Sequence, residues 1–229
     1  MAIENPFFKA AFSVDNVIFG FDEGKLKILL IRRKEDPFKN MWALPGDLVH
    51  PDEDLDDAPI RVLKELTGLD NVFLEQVHTF GKKDRHPLGR VITIAYYSLI
   101  NIKEVQPKAA SFAERVEWHD IREVGRLAFD HYEIMCSCLH QLQRNVRNRP
   151  IGFELLPEKF TLSALQELYE AILFKPLDKR NFRKKIMMMG LLSDPNEVQK
   201  NVAHRPAKIY HFDHKKYEKF REEGFVFEI

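Results

Sequence analysis

The run WALPGDLVHPDEDLDDAPIRVLKELTGL, Trp42 to Leu69, decides how the N-terminal part of this chain is read. Met41 to Leu44 is a short apolar run closed by Pro45-Gly46, and an acidic loop follows from Asp47 to Asp57. Over residues 58–67, Ile60, Leu63 and Leu66 recur at i, i+3 and i+6, the spacing of one helix face. Gly68 supplies the stop. Upstream, residues 11–22 and 26–33 are rich in Val, Ile, Leu and Phe and flank Asp22-Glu23-Gly24, which predicts a strand pair joined by a turn. Downstream, Phe73 to Phe80, Arg90 to Asn101 and Glu114 to His119 read as strands. Asp130 caps a predicted helix carrying Ile134, Met135, Cys138, Leu139, Leu142 and Val146.

Within that frame Gly46 to Leu69 resembles the Nudix box, G-x5-E-x7-R-E-U-x-E-E-x-G-U with U apolar. With one extra residue after Gly46, Glu53 takes the first Glu position, Arg61 the Arg position and Leu63 the apolar one; Glu65, Gly68 and Leu69 also match. The resemblance spans roughly residues 8 to 145. It implies a Nudix-type α/β/α sandwich with a mixed sheet, part of an α+β chain. The family's box sets three carboxylates on one helix face at i, i+3 and i+4, where they hold a divalent cation that polarises a pyrophosphate and activates water. Here those positions are Val62, Glu65 and Leu66. Glu65 with Glu53 in reserve is a poor site for a hard cation that wants several oxygen ligands. No catalytic and no metal-ligating residue is therefore expected, and no cofactor. The bland reading of Glu65 is a charged residue paired with Arg61 at i−4; Arg61 itself is expected to brace the loop. Asp47 stands where the usual strand exit has a second glycine.

The polar stretch Arg144 to Pro150 reads as a domain boundary, giving a sensing domain over 1–148 and a second domain over 151–229. Leu162, Leu165, Leu168, Tyr169 and Ile172 mark a helix capped by Thr161. Pro176 and Asp178 open another that ends at Gly190, and Leu191-Leu192 and Ala207 to Phe212 read as two strands around a polar loop. Residues 175–221 hold 13 Lys and Arg against 5 Asp and Glu. Five of the basic residues fall in Lys179 to Lys185. On a helical wheel Phe182, Ile186 and Met189 share one side and Arg180, Arg183, Lys184 and Met187 the other. An apolar back with a guanidinium-rich front suits the major groove. Lys200, His204, Arg205 and Lys208 add charge to the loop from Gln199 to Lys208. Lys179, Arg180, Arg183, Lys184, Arg205 and Lys208 are the DNA-binding candidates; the bland alternative is a solvated basic face.

Phe153 to Tyr210 (F-x-L-L-P-E-x-F-T-L-S-x-L-Q-x-L-Y-E-A-I, then P-L-D-K-R-N-F-R-K-K, G-L-L and R-P-A-x-x-Y) resembles the winged helix of the Nudix-related transcriptional regulators. That resemblance implies a homodimer on a palindromic double-stranded operator, repression of NAD or sugar metabolism genes, and release by a small effector: ADP-ribose, a pentose or a sugar phosphate. The rival function is a metal-dependent pyrophosphatase acting on ADP-ribose or a related nucleoside diphosphate derivative. Val62 and Leu66 speak against it.

Composition is compatible with this and names no partner. The chain has 229 residues, 45% of them hydrophobic and 31% charged, with no net charge. The longest apolar run, near Val91 to Ile100, is too short to cross a bilayer. Met1 to Phe8 lacks the pattern of a secretory signal, and the two cysteines, Cys136 and Cys138, make neither a disulfide framework nor a zinc site. A cytoplasmic protein is expected. For the effector, Arg32, Trp42, Glu65 and Arg90 are the candidate contacts, and the loop Gly81 to Gly89, with Asp84, Arg85 and His86, is the candidate pocket loop. His119 and His131 read as ordinary core or surface residues.

Overall fold

The computed structural model describes residues 10–69, 72–109, 113–200 and 205–229. His204, one of the wing candidates, lies outside them. The chain separates into two compact units: residues up to Gly20 with Lys27–Gln141, and Phe21–Leu26 with Leu142–Ile229.

The first unit is built on a mixed sheet. Its strands are β1 (Ala11–Asp22), β2 (Lys25–Arg33), β3 (Trp42–Ala43), β4 (Gly46–Leu48), β5 (Phe73–Phe80), β6 (Val91–Ile100) and β7 (Ala113–Asp120). The order β3-β2-β1-β6-β5 has β1 parallel to β6, with β4 antiparallel to β1 and β7 antiparallel to β2. Residues Ser13–Gly20 of β1 and Thr93–Ile100 of β6 are buried throughout. That is the signature of central strands covered on both faces.

Helix α1 (Asp57–Thr67) lies on this sheet and ends at Gly68, whose φ of 75° is the left-handed conformation that glycine adopts without penalty. Its buried stripe is Ala58, Pro59, Val62, Leu63, Leu66 and Thr67. Ile60, expected on that stripe, is 38% exposed. The face is centred between Val62 and Leu63, so position 60 falls on its margin. Val62 packs with Val14, Ala58, Ile94 and Tyr96; Leu63 packs with Ile18, Leu29 and Ile100; Leu66 packs with Ile31, Ala43, Ala113 and Ala128. Helix α2 (His131–Asn148) closes the sequence of elements around the sheet.

In the second unit, α3 (Leu162–Leu173) starts at Thr161, whose hydroxyl accepts the Ala164 N–H, and α4 (Lys179–Met188) starts at Asp178, whose carboxylate accepts the Asn181 N–H. Phe182 and Ile186 are buried against α3, with the Phe182 ring 5.5 Å from Tyr169. Strand β8 (Leu192–Ser193) pairs with β9 (His211–Phe212), and bridges join Phe160 to Tyr210 and Val198 to Lys208. The expected helix-helix-wing order is present. A further helix, α5 (His214–Glu222), follows the wing. Sequence reading passed over it although Asp213 carries a cap signal: its side chain accepts the Lys216 N–H.

β4 meets β1 at a point where only glycine fits. A Cβ on Gly46 would lie 2.6 Å from the Val14 carbonyl oxygen and would overlap the Asp15 carboxylate. Gly46→Ala is expected to destabilise the chain by about 1–3 kcal/mol through overpacking. The urea midpoint is the measurement, and an unchanged midpoint would show that the strand contact yields without cost.

Candidate effector pocket and nucleic-acid interface

The box helix does not present a metal face. Val62 is fully buried and Leu66 is 1% exposed, both inside apolar clusters. Glu65 points outward, its side chain 40% exposed and 3.7 Å from Arg61 Nη1. The residues present do not fit a divalent cation, which takes several hard oxygens. Among the described residues no group of three or more His, Cys, Asp and Glu is placed to hold a metal ion.

Arg61 occupies the acidic loop instead. Its Nε and Nη2 donate to the two oxygens of Glu53 at 2.9 and 2.8 Å, its Nη1 to Asp47 at 2.9 Å, and its Nη2 to the Leu48 carbonyl at 3.0 Å. This is a bidentate guanidinium–carboxylate fork. It holds the Glu53 carboxyl down at about 2, chiefly through the hydrogen bonds from Arg61.

Beside it lies a cavity of about 230 Å³ lined by Ser13, Asp15, Arg33, Leu44, Asp47, His86, Phe129 and His131, with Gly46, Leu48, Arg85 and Val91 completing it. Of these, Ser13, Asp15, Leu44, Arg85 and His131 are buried, and Arg33, Asp47, His86 and Phe129 are partly exposed. Asp15 accepts the Thr93 hydroxyl at 2.7 Å and lies 3.4 Å from both Arg85 Nη2 and His131 Nε2. Arg85 also forks onto Asp130, at 2.7 and 3.0 Å. His131 Nδ1 accepts the Leu44 N–H at 2.9 Å. Accepting that N–H leaves Nδ1 without a proton, which puts the ring's proton on Nε2, facing Asp15; burial pushes the imidazole pKa down.

Phe129 has a φ of 50°, a left-handed backbone that a non-glycine residue holds only against strain. Its ring stacks with His86 at 5.0 Å and 13° and sits under the Arg33 guanidinium, 4.9 Å from the ring centroid. Burial, with Arg85 and Arg33 nearby, pushes the His86 pKa down as well.

The four sequence candidates are not among the lining residues. Arg32 donates to the Asn40 carbonyl and lies 3.6 Å from Glu114. Trp42 packs edge-on against His119 at 4.4 Å. Arg90 donates to the Gly81 carbonyl at 2.7 Å, and Glu65 is the outward partner of Arg61. The loop Gly81 to Gly89 does contribute, through Arg85 and His86. Asp15 was passed over, and His131 was read as an ordinary core or surface residue. The available signal was Asp15 itself, a carboxylate inside an otherwise buried strand.

On α4 and the wing, Lys179, Arg180, Lys184 and Arg205 are exposed. Lys208 is exposed and pairs with Asp194 at 2.8 Å. Arg183 differs: it is half-buried, its Nη2 donates to the Ser163 hydroxyl on α3 at 2.8 Å, and its Nε is buried with no acceptor. Phe182 and Ile186 point inward as expected, while Met189 is half-buried at the helix end.

A Nudix fold whose box helix is aliphatic, followed by a winged helix with a basic α4, defines a ligand-binding domain joined to a DNA-binding module. Known proteins share this combination. The NUDIX domain model matches residues 10–138 and the NrtR DNA-binding winged helix domain model matches residues 152–212. The ADPR responsive transcriptional repressor NtrR of Acinetobacter baylyi is 37% identical over 204 residues, 87% of this chain and 81% of its own length. Shewanella oneidensis NrtR, solved with a 27mer DNA, superposes with a TM-score of 0.78 at 30% identity, covering 88% of this chain and 93% of that one. Its NUDIX domain, solved with ADP ribose, gives 0.55 at 31% identity, covering 62% and 95%. An ADP-ribose pyrophosphatase of Methanocaldococcus jannaschii is 37% identical over 125 residues, 55% of this chain and 70% of its own. The chain belongs to the NrtR family of Nudix-related transcriptional regulators.

Two outcomes are expected from this geometry. A carboxyl whose folded pKa is about 2, below its ordinary 4.5, adds stability above pH 4.5 and loses it as pH falls toward 2. Arg61→Ala is expected to return Glu53 to about 4.3 and to flatten that acid limb. NMR titration of the Glu53 carboxyl reads it directly, and a midpoint still near 2 in the variant would refute the assignment. On the DNA side, Arg180→Glu and Lys184→Glu are each expected to weaken duplex binding more than about tenfold at physiological salt, with the melting temperature kept. Arg183→Ala is expected to lower the melting temperature too, because it undoes the α3–α4 clasp. Gel shifts against promoter fragments flanking the gene test this, and parental affinity in Arg180→Glu would remove α4 from the interface.

Proposed function

We propose that the protein is a transcriptional repressor that binds a palindromic operator as a homodimer through residues 151–229 and senses ADP-ribose through residues 1–148 without cleaving it. The carrying observation is the pairing, in one chain, of a Nudix cavity whose box helix has buried Val62 and Leu66 in place of carboxylates with a winged helix whose α4 exposes Arg180 and Lys184 on one side and Lys179 at its start. The Acinetobacter relative's ADPR response and the Shewanella NUDIX–ADP ribose complex support ADP-ribose over a pentose or a sugar phosphate. Genes of NAD metabolism are then the natural targets. An effector can release DNA only through different affinities for the DNA-competent and DNA-incompetent states, so binding must alter the equilibrium that the winged helix reads.

The Methanocaldococcus relative keeps hydrolysis as the competing reading, and one preparation decides between them. Retarded promoter DNA is expected to be released by ADP-ribose but not by arabinose, while ADP-ribose incubated with millimolar Mg²⁺ or Mn²⁺ is recovered intact. Turnover at roughly 1 per second or faster would make the chain an enzyme. DNA binding that ignores ADP-ribose would remove it as the effector.

A further inference from the structure

We infer that α4 reads A·T pairs directly: Asn181 takes the major-groove edge of an adenine, and Met188 takes the 5-methyl group of a thymine. The inference rests on the operator reading above and says what that operator contains. Its first ground is the make-up of the outward side of α4. Phe182 and Ile186 are buried, with the Phe182 ring on Tyr169 of α3. At about 100° per residue, the direction opposite that pair falls on Lys184, with Arg180 and Met188 next to it and Asn181 and Met187 beyond them. All of these are exposed. Arg180 and Lys184 account for attraction to phosphate, which carries no sequence information. Asn181, Met187 and Met188 are neutral and add nothing to that attraction, so their place on this side answers to something other than charge.

The second ground is the chemistry of the neutral residues. Met187 is 47% exposed and Met188 76%. A single exposed apolar side chain is ordinary. Two in succession, on the side that carries Arg180 and Lys184, make an apolar spot in a basic surface. Phosphate offers a methionine no partner; in the major groove the apolar group is the thymine methyl, and the unbranched, polarizable methionine chain adapts to it. Asn181 lies in the first turn, the part of a recognition helix that contacts base edges. The cap role there is filled by Asp178, whose carboxylate accepts the Asn181 backbone N–H at 2.8 Å. The carboxamide itself is exposed. It offers both acceptor and donor, the complement of the adenine N6–H and N7. Adenine and thymine are partners in one pair, so both side chains select the same kind of step, whereas Arg180 suits guanine.

The test uses the full chain and a promoter fragment flanking the gene, made with uracil for thymine or 7-deazaadenine for adenine at single positions. The first replacement removes the methyl group, the second the N7 acceptor, and neither touches a phosphate. In gel-shift titrations, uracil at one or more thymines is expected to weaken binding about fourfold, the transfer value of one buried methyl group. 7-Deazaadenine at one or more adenines is expected to weaken it at least about fivefold. Met188→Ala should abolish the uracil effect and keep the other; Asn181→Ala should do the reverse. Neither should change the slope of log affinity against log salt, whereas Lys184→Gln should lower it by about one unit. A fragment bound specifically but indifferent to every replacement, or variants as sensitive as the parent, would overturn the base reading and leave the operator reading standing. Sensitivity to one replacement alone keeps that side chain's contact and removes the other's. If no promoter fragment is held above unrelated DNA, both readings fall. The replacements on the unaltered chain need no variant, so a variant that does not fold leaves the test intact.

Discussion

A carboxylate at 5% exposure in a central strand must find donors close by, because an unpaired buried charge is among the costliest features a fold can carry. Asp15 is that carboxylate. Its partners come from β6 (Thr93), from the loop 81–89 (Arg85) and from the start of α2 (His131), and Arg85 is held in turn by Asp130. Strand, loop and helix are thereby set in one register around a single pair of oxygens. Removing one partner of such a cluster costs about 3–5 kcal/mol, whereas an apolar replacement of the whole is often neutral. The cluster therefore adds little net stability. What it does is place a carboxylate, a neutral imidazole and a guanidinium at fixed positions around a cavity, which a hydrophobic core cannot do.

Arg61 resolves a different electrostatic problem beside the same cavity, whose lining includes its partner Asp47. An acidic loop facing a carboxylate-bearing helix needs a cation. With Val62 and Leu66 drawn into the core, the remaining acids, Glu53 and Asp47, close on a guanidinium instead. Arg61 ties the strand exit at Asp47 and the loop at Glu53 to α1, so the loop geometry survives the changed helix positions. The aliphatic substitutions and the arginine brace are thus one arrangement: the first seals the sheet against α1, and the second keeps the mouth of the pocket in shape.

What could be read from the sequence was local. The 3.6-residue period and the apolar runs located nearly every helix and strand, and the cap residues Thr161, Asp178 and Gly68 marked boundaries that the structure keeps. The box motif showed the same helix with its two missing carboxylates. The pocket lining was not local. Asp15, Arg85 and His131 are separated by tens of residues and meet only once the parallel β1–β6 pairing and the start of α2 are in place. No spacing rule joins them. Arg32 and Arg90, expected to contact the effector, each donate to a nearby backbone carbonyl. Ile60 shows the same limit in miniature: periodicity set the helix but not the centre of its buried face.

The basic run of α4 makes the point in energetic terms. On a helical wheel Arg180, Arg183 and Lys184 look equivalent, and a count of charge treats them so. The fold separates them. Phe182 and Ile186 anchor the helix on α3, which fixes its rotation about its own axis. That rotation leaves Arg180 and Lys184 in water but carries Arg183 against Ser163. A long-range electrostatic contribution to DNA affinity needs only charge near phosphate and is weakened by salt; base reading needs a side chain that reaches the groove. Arg183 keeps its charge but gives one donor, Nη2, to Ser163. Its hydrogen bond to α3 instead fixes the angle at which Arg180 and Lys184 are presented. Apolar anchoring at Phe182 and the polar tie from Arg183 to Ser163 together set how α4 presents Arg180 and Lys184.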